Sequence, residues 1–142
     1  MSSLPENLEA ALARLPYARF IGVRGVLHGD ELTLVLPYAE RNIGNPMLPA
    51  LHGGVIGAFM EIAAITQLAV SSNAHRLPRT IDVNMSYLRS GRPADTFARA
   101  RVLKIGRRIA SVQVEAWQNM REQPIAQMNG NFLVATAEGE KS

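Results

Sequence analysis

Cysteine is absent from the 142 residues, so this chain has no disulfide framework, no thiol nucleophile and no thiolate-held metal. Histidine is scarce: His28, His52 and His75 stand apart, without the spacing of a metal-ligand set, so neither a metal nor another cofactor is expected. Aromatic residues make up only 6% of the chain, too few to form a stacking platform for nucleic acid among basic side chains. No basic-then-apolar signal pattern opens the sequence. The longest apolar run, Val55 to Val70, is short for a bilayer span and carries Glu61 and Gln67. Neither nucleic acid nor a membrane is therefore an expected partner, and the expected location is the cytoplasm.

What is present fits one globular domain over residues 1–142, with a core from about 17 to 137. At 47% hydrophobic and 19% charged, the chain is long and apolar enough to bury that core. The net charge is +3, but between Arg76 and Arg108 nine bases face two acids, a local excess of +7. Two readings fit that stretch best, with nucleic acid a further possibility that the scarce aromatics and the lack of a recognisable module disfavour. One is a solvated arginine face. The other is a site for a phosphorylated ligand, which guanidinium groups bind bidentately.

Periodicity supplies the elements. Leu8, Leu12 and Leu15 recur at helical spacing behind a Ser3/Glu6 capping box, and Pro16 closes a short helix over residues 4–15. Phe20–His28 and Glu31–Leu36 flank Gly29-Asp30 and read as a hairpin. Pro37–Ala50, with Gly44, Pro46 and Pro49, reads as a loop. Gly53 to about Ser71 reads as a helix, apolar all round and so buried on nearly all sides. Four strands follow. Thr80–Leu88 places Ile81, Val83, Met85 and Tyr87 on one face. Asp95–Ile105 runs to a turn at Gly106. Arg107–Met120 alternates, with Ile109, Ser111, Gln113, Glu115 and Trp117 opposite Ala110, Val112, Val114 and Ala116. Ile125–Ala137 is the last strand, and the tail 138–142 is expected to be disordered. A helix without a polar face needs a sheet that curls around it, or a partner subunit that covers it. Both point to an α+β fold and an oligomer.

The candidate chemistry lies at His52-Gly53-Gly54 and Glu61. Two glycines open the buried helix, where backbone N–H groups can hold a developing negative charge. One carboxylate interrupts the apolar run that follows, where an ionised acid is costly unless it is paired. A structural reading of Glu61 is a buried acid paired with an arginine to fix a dimer.

The pattern Asn45…His52-Gly53-Gly54…Glu61, then Thr80-Ile81-Asp82-Val83-Asn84-Met85-Ser86-Tyr87, then Gly106-Arg107 between two long strands, resembles the hotdog-fold acyl-CoA thioesterases of the PaaI-like, phenylacetate-degradation type. The likeness covers about Tyr17 to Ala137. It implies an antiparallel β-sheet wrapped around a long central α-helix, two subunits joined sheet edge to sheet edge, active sites at the dimer interface and often a homotetramer. It implies hydrolysis of an acyl-CoA thioester. Glu61 matches the catalytic acid, acting as general base or as nucleophile, and Gly53 matches the backbone oxyanion donor. Asn45 stands near the family's carbonyl-binding amide, His52 shapes the loop, and Thr80 matches a residue that orients water. The family usually carries its Asn or Gln six residues before the histidine. Here that position is Pro46, with Asn45 one residue earlier, and the usual glycine three before the histidine is Pro49.

Substrate contacts are expected from Gly54, from Phe59, Met60, Tyr87 and Leu88 around the acyl group, and from Arg89, Arg107 and Arg108 on the CoA phosphates, with Arg92 near them. The alternative reading is a non-catalytic acyl-CoA-binding or regulatory hotdog protein, which would tolerate loss of Glu61.

Overall fold

Pro16 opens a helix rather than closing one. The computed structural model describes residues 10–28, 31–39, 53–71 and 77–134. Residues 10–13 are helical, and residues 4–9 of the expected first helix lie outside the described residues. A separate helix, α1 (Pro16–Ile21), starts with proline in its first turn, where the missing N–H would have no helical partner anyway. It stops at Gly22, whose φ of 85° is left-handed backbone that glycine adopts freely. The Gly22 N–H closes the helix on the Ala18 carbonyl at 3.0 Å. The expected strand from Phe20 is therefore corrected. Phe20 to Val23 form helix and turn, and β1 (Arg24–His28) begins only after them.

β1 pairs antiparallel with β2 (Glu31–Leu36), as the hairpin reading expected. Next comes α2 (Gly53–Ser71), followed by β3 (Arg79–Tyr87), β4 (Thr96–Ile105), β5 (Ile109–Trp117) and β6 (Ala126–Leu133). The six strands form one sheet in the order β1-β2-β4-β5-β6-β3. All its pairings are antiparallel. β3 thus leaves α2 and crosses to the far edge, beside β6. The expected tail 138–142 and the end of the last expected strand lie outside the described residues.

α2 packs against β2, β3, β4, β5 and β6, so the sheet lies across it as an apolar wrapping. Phe59, Met60, Ala64 and Leu68 on the helix are fully buried. They meet inward residues of the sheet, among them Val112, Val114, Met128 and Phe132. By length and composition α2 is apolar enough to cross a bilayer; here it is the core of the sheet. β5 divides its faces as its alternation requires, Ala110, Val112, Val114 and Ala116 inward and Ser111, Gln113 and Glu115 outward.

One buried group stands out in that core. Thr66 on α2 is fully buried, and its hydroxyl finds no hydrogen-bond partner among the described residues. A buried, unsatisfied hydroxyl costs about 1–3 kcal/mol, and valine keeps the shape without it. Thr66→Val is therefore expected to raise the midpoint of thermal unfolding; a lowered midpoint would contradict an unpaired hydroxyl.

Candidate active site

Strict alternation along β3 would turn Thr80 to the same side as Asp82 and Asn84, away from α2. The sheet avoids this with a bulge. Thr80 pairs with Phe132 of β6, but Asp82 already pairs with Asn131, so Ile81 is an extra residue in the ladder. Both Thr80 and Val83 then face inward, three residues apart, while Asp82 faces outward and accepts a hydrogen bond from Asn131 Nδ2 at 3.0 Å. Bulges of this kind re-aim a side chain where function needs it. The inward set is therefore Thr80, Val83, Met85 and Tyr87, which corrects the reading that began it at Ile81.

The re-aimed Thr80 hydroxyl donates to Glu61 Oε2 at 2.5 Å. Glu61 is half-buried in the middle of α2. Hydroxyl-to-carboxylate bonds this short belong to the charge-assisted class. Within one chain the partner of Glu61 is thus a hydroxyl from the sheet edge. One carboxylate oxygen, Oε2, is held by this bond.

The second group of candidate residues lies at the start of α2. Gly53 and Gly54 begin the helix and are exposed. The Gly53 carbonyl accepts a hydrogen bond from Tyr87 Oη at 2.9 Å. A cleft of about 380 Å³ opens here, lined by Gly53, Ile56, Tyr87, Leu88, Arg89, Ser90 and Gly91. It adjoins a cleft of about 620 Å³ that shares Arg89 and Ser90 and adds Arg92, Gln118 and Gln123. The loop between them is fixed by Gln118. Its amide imitates a strand partner, accepting from the Arg92 N–H at 2.9 Å and donating to the Arg92 carbonyl at 2.8 Å. Arg89 spends one donor on the Pro124 carbonyl at 2.6 Å.

The two groups are apart in one chain. Gly53 and Glu61 are eight residues distant on the same helix, about 12 Å along its axis at 1.5 Å per residue. The basic stretch from Arg76 to Arg108 is likewise divided. Arg89 and Arg92 border the clefts at the helix start. Arg107 and Arg108 sit in the β4–β5 turn, at the end of the sheet where Ile109, Leu133 and Arg79 align. Arg99 and Arg101 line a third cleft on the outer face with Gln113 and Glu115. Phe59 and Met60 are packed in the core, while Tyr87 and Leu88 do line a cleft. Asn45 and His52 lie outside the described residues. The Gln118 clamp and the Tyr87–Gly53 contact were missed in the sequence, because each joins residues whose proximity only the tertiary fold creates.

A long apolar helix wrapped by one antiparallel sheet is the hotdog arrangement. The chain belongs to the thioesterase superfamily, whose family model matches residues 48–125. It is similar to the medium/long-chain acyl-CoA thioesterase YigI of Escherichia coli K12, 28% identical over 140 residues that cover 89% of this chain and 90% of that protein. Among solved structures, a Chromobacterium violaceum protein is 32% identical over 96% of this chain and 99% of its own, with a TM-score of 0.75. A phenylacetic acid degradation-related protein from Ralstonia eutropha JMP134 shares the fold at a TM-score of 0.74, 20% identical over 84% of this chain and 90% of its own.

Proposed function

We propose that this protein hydrolyses acyl-CoA thioesters to free CoA and a carboxylic acid, at two sites shared between the subunits of a homodimer. The observation that carries the reading is the short bond from Thr80 to Glu61, which orients the lone carboxylate of the buried helix. The acyl-CoA substrate is taken from the similarity to YigI, and a cytoplasmic location follows from where such substrates are made and used.

A thioester carbonyl must lie about 3 Å from both its oxyanion donor and its nucleophile. Glu61 and the helix start of one chain are too far apart for that. A second chain resolves the mismatch. β3 is one of the two edge strands, the one beside α2's Glu61, and is hydrogen-bonded among the described residues only to β6. An unpaired edge is a template for another strand. Two β3 edges joined antiparallel set the Tyr87 end of one against the Thr80 end of the other. Gly53 then faces Glu61 of the partner subunit. The same pairing brings Arg89 and Arg92 toward Arg107 of the partner subunit and Arg108 of the partner subunit, so guanidinium groups separated in one chain surround one set of CoA phosphates. Two such dimers form a homotetramer, an extension that rests on the family resemblance.

In this arrangement the thioester oxygen lies on the Gly53 N–H, at the positive end of the α2 dipole. Glu61 of the partner subunit takes a proton from water as the water oxygen attacks the carbonyl carbon, or attacks that carbon itself and is released by water. The C–S bond breaks and CoA leaves as its thiol. Gly54 borders the carbonyl, a contact that the family resemblance assigns to Asn45 as well, with His52 next to Gly53 in sequence. Tyr87 and Leu88 border the acyl end, and Phe59 and Met60 stand behind it.

The test is steady-state thiol release from a panel of aliphatic and aromatic acyl-CoA esters. Turnover on a subset is the expected result and names the preferred acyl class. CoA esters that bind without turnover on any substrate would overturn the enzyme reading in favour of a binding protein.

A further inference from the structure

A helix that opens Gly53-Gly54 and repeats glycine at Gly57 is poorly fixed by its own backbone, since glycine gives up more conformational freedom on folding than any other residue. If the N–H at that opening is to meet a developing oxyanion, something outside the helix must hold it. Tyr87 is placed to do so. It ends β3 on the inward face, and its hydroxyl donates to the Gly53 carbonyl at 2.9 Å with Met85 Sδ at 3.6 Å behind it. Gly57, one turn further along α2, makes the contact possible. A Cβ there would stand 2.8 Å from Met85 Sδ and 3.0 Å from Tyr87 Oη. Glycine inside a helix weakens it relative to alanine; here it leaves the notch into which Met85 and Tyr87 fit.

We propose that Tyr87 is a positioning residue for thioester hydrolysis: through its hydroxyl it locks the first turn of α2, and Gly57 is the gap that admits it. The role rests on the proposed thioesterase function, in which that turn carries the oxyanion donor. Tyr87 has one O–H, and the Gly53 carbonyl at 2.9 Å is its stronger acceptor, with Met85 Sδ at 3.6 Å the weaker one. Its ring borders the cleft, but its hydroxyl acts on the substrate only through the helix start. A donor displaced by as little as an ångström can cost a large factor in rate while substrate binding survives.

The experiment compares Tyr87→Phe, Gly57→Ala and the double variant with wild type. It reads kcat, KM, the Kd of a non-hydrolysable thioether analogue of the best acyl-CoA, thermal midpoint, and hydrogen exchange of the first-turn amides. Phenylalanine keeps the ring and removes only the hydroxyl. Alanine at 57 favours the helix but pushes the hydroxyl away. Each variant is expected to lose about 10-fold or more in kcat, with KM and analogue Kd within about two-fold of wild type. First-turn amides should exchange faster. The double variant should lose no more than the worse single one, because both changes break one contact. Wild-type kcat in Tyr87→Phe, or a loss expressed in KM and analogue Kd instead, overturns the positioning role while the thioesterase reading stands. Absence of turnover by the wild type overturns the thioesterase reading, and this role with it.

Discussion

Glu61→Gln is expected to lower kcat/KM for acyl-CoA hydrolysis by about 10³-fold, within the range seen for loss of a positioned general base, while the protein stays folded. Glutamine has nearly the same shape and retains a carbonyl oxygen that accepts the Thr80 hydroxyl, so the 2.5 Å contact has a successor. What it lacks is the basicity to take a proton from water and the charge to attack a carbonyl carbon. Because the interaction lost belongs to the transition state, the fall should appear in kcat, with KM little changed. Retention of more than about a tenth of the activity would contradict a role for Glu61 in the chemical step. A collapse of the circular dichroism spectrum would instead show that the residue holds the fold.

Gly53→Pro should cost about 100-fold or more, the usual penalty for removing one oxyanion donor. Proline deletes the N–H and is otherwise suited to a first helical position, where its φ already matches the helix. Among the described residues its Cβ fits: it would lie 3.8 Å from the Tyr87 ring, an ordinary van der Waals contact. Gly53→Ala is the control, because it adds the same carbon and keeps the N–H. The donor reading requires proline to fail where alanine stays within a few-fold of wild type. Equal losses in both would show that crowding, not the missing donor, is responsible.

Much of this architecture was legible because single physical signals dominated it. α2 reads as a buried helix since it lacks any polar face beyond Glu61 and Gln67. β5 reads as a strand with two faces because small and branched apolar residues alternate with polar ones across nine positions. The order of glycine-opened helix, lone acid and Thr80 strand was enough to assign the family. What escaped lay where local signals compete. Phe20, Ile21 and Val23 look like a strand, but Pro16 and the left-handed Gly22 turn most of that segment into a short helix, and short apolar runs do not separate the two by period. The bulge at Ile81 is invisible to alternation, which it interrupts, and it decides that Thr80 meets Glu61. The arginines looked like one basic region because they are near in sequence. Strand directions send them to opposite ends and to the outer face.

The most direct test of the shared site mixes two disabled subunits. A site that needs both groups leaves the Gly53→Pro and Glu61→Gln proteins each nearly inactive. Unfolded together and refolded at equal ratio, half of the dimers carry one chain of each kind. In such a dimer one site joins the intact Gly53 of one chain to the intact Glu61 of the other. Activity should return to about a quarter of the wild-type value per subunit, as random isologous pairing requires. Activity that stays at the level of the separate variants would contradict a site built from two chains.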